Sequence, residues 1–217
     1  MATDALARLR AAAGRLLAVV DETLARHGAP EHHPIWPLLR AAGLLPGDAV
    51  AGVEALPLEV LRQRSALMRA HHERGSGVDD LLAAPSGWEG AAADAAAARL
   101  ESARAGVGVL AANAGVLADL LADLAAWGAE ARTRLARTLA KVLTSAEAVD
   151  LTVEEVEPIA RAQAAADIGA EVLAEADRFW AGAQEIVRVR LARLESEPVV
   201  KRAAPEATTP GRLAVEL

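Results

Sequence analysis

An all-α fold follows from three features of the chain. Alanine, leucine, arginine and glutamate dominate its 217 residues, and all four favour helix. Runs of β-branched or aromatic residues that would build a sheet are scarce, aromatics being only 2% of the total. Apolar positions repeat every seven residues through the middle of the chain, the period of a helical seam. The expected architecture is an elongated bundle of antiparallel long helices over residues 1–196, two of them joined as a hairpin, with a flexible tail at 197–217. Because much of the 53% hydrophobic share is alanine, the core must come from close helix approach rather than from bulky side chains.

Residues 3–27 predict the first helix. Leu6, Leu9, Ala13, Leu16, Val20 and Leu24 keep a three-four spacing and form one apolar stripe. Thr3 or Asp4 can cap it, and Gly28 followed by Pro30 ends it. Residues 28–56 form a proline-rich connection with short helical turns near Leu38–Ala42 and Gly47–Ala55. Ile35, Trp36, Leu38 and Leu39 give it enough apolar surface to pack as a cap. Pro57 opens a second helix, predicted to run to residue 84 with a weak spot at Gly75-Ser76-Gly77. Residues 85–91 form a turn, and residues 91–149 the longest helix. Leu100, Val107, Ala114 and Leu121 make one heptad series there, and Ala103, Leu110, Leu117, Leu124 and Ala131 its companion. Beyond Trp127-Gly128 the stripe slips by one step, which predicts a bend or stutter. A last helix spans 152–196, with Asp150 or Thr152 as cap and many alanines and glycines on its apolar face, so that its partner can come near.

The formal net charge of −7 and the absence of any lysine or arginine block argue against a duplex nucleic-acid binder. With no cysteine, disulfides, thiolate catalysis and thiolate metal sites are all excluded. Asp4, Arg8, Arg10 and Arg15 interrupt the start of the chain, so no cleavable signal peptide is expected. The longest uncharged stretch, Ala105 to Ala118, falls short of the ~20 residues that span a bilayer, and stable membrane insertion is not expected.

Candidate chemistry is thin. The doublets His32-His33 and His71-His72 place adjacent rings about 100° apart on a helix, so neither grips one metal alone. The two doublets meeting in space, assisted by Glu31 or Glu73, would be needed for a metal-dependent enzyme. A di-iron bundle requires Glu-x-x-His pairs, and no histidine has a glutamate three places before it. Asp79-Asp80, Asp119, Asp123, Glu154-Glu155 and Glu157 read as a solvated face. Gly75-Ser76-Gly77 lacks the frame of a nucleophile elbow, and Gly106-Val107-Gly108 suits close helix packing better than phosphate binding. No catalytic residue, metal ligand or cofactor is assigned. Four tryptophans are the candidates for anchoring contacts: Trp127 and Trp180 for internal packing, Trp36 and Trp88 for packing or a partner in equal measure.

The turn is the most informative segment. Pro85-Ser86-Gly87-Trp88-Glu89-Gly90 sets one large aromatic and two glycines between helical sequences, with Glu89 placed at the positive end of the next helix. Two helices doubled back here, with the Trp88 indole closing the hairpin end, is the expected arrangement. Trp88-Glu89-Gly90 followed by Ala91-Ala92-Ala93-Asp94-Ala95 resembles the Trp-x-Gly (WXG) helical-hairpin proteins of type VII (ESX) secretion systems in high-GC Gram-positive bacteria. A second triplet, Trp180-Ala181-Gly182, lies inside a helical pattern. The resemblance implies a non-enzymatic secretion substrate or a helical partner of one, acting through helix–helix contacts. Gly87, Trp88, Glu89 and Gly90, with Trp36, would then face another Trp-x-Gly protein or the secretion ATPase. It implies a protein made in the cytoplasm and exported by a route needing no signal peptide, as a monomer or homodimer. The family's Tyr-x-x-x-Asp/Glu export signal is missing: the chain has no tyrosine, and neither Phe179 nor Trp180 has an acid four residues on. The protein would then travel with a partner bearing the signal, or stay inside as an adaptor. A cytosolic structural or adaptor bundle unrelated to secretion is the alternative reading.

Overall fold

The computed structural model describes residues 5–78, 87–153 and 157–196. These form seven α-helices, with no strand among the described residues. Helix α1, Ala5–His27, buries Leu6, Ala13, Leu16, Val20 and Leu24, the stripe expected from its spacing. Gly28 ends it in a left-handed conformation (φ 70°), its N–H donating to the Leu24 carbonyl at 3.0 Å. The connection holds two helices. Helix α2, Ile35–Ala42, begins three residues before the expected turn and ends at the left-handed Gly43. Helix α3, Pro46–Glu54, opens on a proline, which lacks the N–H that would otherwise be left unpaired.

Helix α4, Leu58–Ser76, begins one residue after Pro57 and stops at the glycines, with Gly77 as its cap. Its expected continuation to 84 is therefore cut at Ser76, and positions 79–84 lie outside the described residues. Each glycine there costs about 1 kcal/mol of helix propensity relative to alanine, and no stripe of large side chains offsets it. Helix α5, Ala91–Leu143, is 53 residues and about 80 Å long. It ends six residues before the expected boundary. Thr144 leaves the helix, and Ser145 turns to extended backbone (φ −83°, ψ 161°) and caps helix α6, Ala146–Thr152, accepting the Ala148 N–H at 3.3 Å. As expected, Trp127-Gly128 does not end the helix, since α5 runs through the pair unbroken. Helix α7, Pro158–Ser196, starts on its proline.

The principal core joins α1, α2 through Ile35, α3, the second half of α5, α6 and the first half of α7. Within it Leu6, Val20, Ile35, Leu135, Leu139 and Leu173 are fully enclosed. Arg132 on α5 secures the α3–α4 corner, its guanidinium donating to the carbonyls of Val53, Glu54 and Leu56. Arg10 of α1 pairs with the Glu54 carboxylate, which sets this part of α1 level with Arg132. At the far end, a Cβ on Gly169 of α7 would lie 2.8 Å from Ile35 and 3.2 Å from both Leu24 and Pro46. Hydrogen there lets α1, α2 and α3 converge on α7.

Above this core, among the described residues, only α4 and α7 accompany α5. Ser65 Oγ donates to the Ala118 carbonyl at 2.8 Å, and His72 Nδ1 meets the Ala111 carbonyl at 2.9 Å, so contacts advance along α4 as they recede along α5. The same opposite sense holds for α5 and α7, where Lys141 pairs with Glu171, Arg134 with Glu175, and Asp123 with Arg190. The acids at 119 and 123, expected as a solvated face, instead tie helices together: Asp119 meets Arg69 and Arg190, and Asp123 meets Arg190.

Candidate partner-binding site

The Trp88 turn is non-helical through its described residues, 87–90, while Pro85 and Ser86 lie outside them. Gly87 and Gly90 both adopt positive φ, 85° and 100°, a region that a β-carbon disfavours. Gly90 is the N-cap of α5, and its carbonyl accepts the N–H groups of Ala93 (2.8 Å) and Asp94 (3.1 Å). Glu89 is exposed just before the cap, near the positive end of the helix. Trp88 is 52% exposed. Half of the side chain is open to solvent, beside Gly87, Gly90, Ala91 and Ala92, which carry little side chain to cover it.

Trp36, the other proposed contact residue, is half-buried within the connection. Its Nε1–H donates to the Pro30 carbonyl at 3.0 Å, and its ring covers Gly28. It sits at the opposite end of the molecule from Trp88, beside the start of α7, so the two do not share a surface. Trp127 donates to the Phe179 carbonyl at 3.0 Å and lies under the Arg134 guanidinium, 4.4 Å from its centroid. Trp180, expected inside, is 41% exposed and touches the edge of the buried Phe179.

The histidine doublets do not meet. His33 is buried beside Asp167, its Nε2 3.0 Å from the carboxylate, while its Nδ1 accepts the Ile35 N–H at 3.1 Å. The proton is thereby placed on Nε2, and both ring nitrogens are occupied. His72 lies against Ala111, more than 30 positions along α5 from the end that faces Asp167, on the order of 45 Å away. No group of three potential metal ligands converges among the described residues. Sequence reasoning missed the pairing of His33 with Asp167 because the two lie 134 positions apart.

The largest departure from expectation concerns the seam of α5. Residues seen to meet α4 are Ala111, Gly115, Ala118 and Gly128, small positions that lie beside the predicted leucines and valines. Small side chains let α4 come close: a Cβ on Gly75 would lie 2.6 Å from that of Ala111, and Gly115 makes room for the His72 ring. Leu117, Leu121 and Leu124 are left half-buried and Leu110 is 70% exposed. Gly106 and Gly108, expected at a close helix contact, face open space: a Cβ at either would meet nothing within 4 Å. An 18-residue window of α5 is long and apolar enough to cross a bilayer by composition, and only 11% of it is buried. The uncharged count from Ala105 to Ala118 understated this because it stopped at the first charge.

Comparison with protein families, curated proteins and solved structures yields no match to this chain.

Proposed function

We propose that this protein is a non-enzymatic helical partner in a type VII (ESX) secretion system, either a substrate or a companion of one. One observation carries the reading: an indole half-open to solvent, held between two positive-φ glycines at the turn that precedes α5. A tryptophan in an alanine-rich bundle ordinarily fills the space that alanines leave, and one presented at a turn suits recognition. The opposite running sense of α4 and α5 on either side of Trp88-Glu89-Gly90 supports a WXG-type hairpin. The recognised partner is another Trp-x-Gly hairpin or the secretion ATPase, met by Trp88, Glu89 and the glycine backbone. The protein is made in the cytoplasm and leaves, if it leaves, with a partner that carries the export signal.

The experiment is co-purification with Trp-x-Gly proteins and the secretion ATPase of the same host. Trp88→Ala is expected to keep the helical circular dichroism and melting temperature of the parent and to lose the partner. Equal retention by parent and variant would make the turn structural only. The cytosolic adaptor reading is favoured by one observation, the missing tyrosine signal, and would be selected by protein that stays in the cell in both wild-type and ATPase-deleted hosts.

A further inference from the structure

We propose that the outward face of α4 binds an acidic amphipathic helix of a partner protein. Along α4, Val60, Arg64, Leu67, His71 and Arg74 follow a three-four spacing. Taking 100° per residue, they fall within about 80° of one another and run along about 21 Å. Leu58, Ser65 and His72, which meet α5, point about 140° away from them. The stripe therefore faces solvent. Val60 is 50% exposed and Leu67 40%, and Arg64, His71 and Arg74 are exposed beside them.

Charge sets this stripe apart from the rest of the helix. Two arginines of α4 lie off it, and each meets a carboxylate: Arg62 meets Glu59 at 3.5 Å, and Arg69 meets Asp119 at 3.2 Å. Arg64 and Arg74 lie on it, and neither meets a carboxylate among the described residues. Arg74 instead turns back on its own helix, its Nε donating to the Ala70 carbonyl at 3.1 Å and its Nη2 lying 3.4 Å from His71 Nδ1. Both acids of α4, Glu59 and Glu73, stand about 100° or more from the centre of the stripe. On a chain of net charge −7 this is a cationic strip without internal counter-charges, and it attracts carboxylates.

The apolar residues give the occupant its form. Val60 and Leu67 stand one heptad apart, about 10.5 Å, which is the repeat of a partner helix lying nearly along α4. Leu61 and Met68, half-buried at the border with α5, widen the apolar strip. Leucines of the partner lie on Val60 and Leu67, and its carboxylates accept from Arg64 and Arg74. A bilayer would meet only these few apolar side chains over four turns, far less than the apolar face by which a helix lies in a membrane interface. Gly75 lies beside Ala111, and Gly90 caps α5 on the far side of that contact from Arg64, so the chain leaves α4 away from Arg64 and Leu67. This face is separate from the Trp88 turn, and the inference is independent of the secretion reading.

The probe is a fluorescein-labelled helical peptide with leucine at heptad positions a and d, glutamate at e and g, and alanine elsewhere. Fluorescence anisotropy with the full chain is expected to show saturable binding that weakens as salt is raised. A peptide with lysine in place of glutamate should not bind. Arg64→Glu should weaken binding at least about tenfold with unchanged far-ultraviolet circular dichroism, and Leu67→Gln severalfold. Arg62→Glu makes the same change of charge off the stripe and should leave binding within about twofold of the parent. Should Arg64→Glu fail to fold, Arg64→Ala read beside Arg62→Ala decides the matter in the same way. No saturable binding by the parent, equal weakening by Arg62→Glu and Arg64→Glu, or a Leu67→Gln protein that binds like the parent would overturn the proposal. So would a parent that ignores the peptide and floats with phosphatidylserine vesicles, which would give the stripe to lipid.

Discussion

Three glycines on one scaffold face quite different surroundings. A Cβ at Gly182 would collide with Cζ2 of Trp127, an atom of a rigid ring held by its bond to Phe179 and by Arg134. At Gly75 the obstacle is the Ala111 methyl at 2.6 Å, near the free end of α4, whereas at Gly108 nothing stands within 4 Å. Gly182→Ala is therefore expected to destabilise by about 1–3 kcal/mol through overpacking, and Gly75→Ala by less. Gly108→Ala is expected to stabilise by up to about 1 kcal/mol through helix propensity alone. Urea unfolding of the three variants checks the order. Asp21 offers a test by pH. Burial pushes its carboxyl above the ordinary value of 3.8, the Gly47 N–H opposes this, and Asp48 adds to it. The folded protein thus holds this proton more tightly than the unfolded chain. The group's contribution is most favourable below pH 3.8 and is lost as pH rises through the folded-state value. Asn keeps an oxygen for the Gly47 N–H, so the stability of Asp21→Asn relative to the parent should be greatest near neutrality and shrink at pH 3. A difference that does not vary with pH would refute that account.

Helix boundaries turn on small numbers of polar contacts. Ser145→Ala removes the cap of α6 and is expected to cost about 1 kcal/mol, read as a lower melting temperature. The Glu147 carboxyl is held below its ordinary range by its own backbone N–H and the Ser145 hydroxyl; this favours folding at neutral pH and is lost on acidification. Apolar positions Leu135, Leu139, Val142, Ala146 and Val149 keep their helical spacing across Ser145, which is why α5 and α6 looked like one helix. The stripe of α1 was fully legible, because one apolar face against one core leaves no choice. In α5 the choice was real: leucines mark the greasier face, alanines and glycines the closer one. α4 took the closer face, since Leu58, Ser65 and His72 bring their own bulk and polar groups to it. The turn could be placed from its glycines and proline, but the exposure of Trp88 could not, because it depends on what the neighbours lack. His33 with Asp167, and Arg132 with three carbonyls, join positions too distant for any local pattern to show.

At the scale of the molecule, stability is unevenly distributed along one helix. The second half of α5 lies in a core with α1, α3, α6 and α7, and the first 20 residues are largely exposed. Amide hydrogen exchange should be slow across Ala131–Val142 and α7 up to Phe179, and fast across Ala91–Leu110 in dilute protein. Uniform protection along α5 would contradict the unequal core.

Arg132 gathers the last carbonyls of α3 and the first of the link to α4 onto a single planar cation. The corner between α3 and α4 is thus tied to a third helix through one side chain. Lysine, with one nitrogen where arginine has a fork, could hold only part of that set. Loosening this wrist would free the corner while Ser65 and His72 kept α4 on α5, a change that amide exchange at Ala55, Leu56 and Leu58 would register before spectroscopy did.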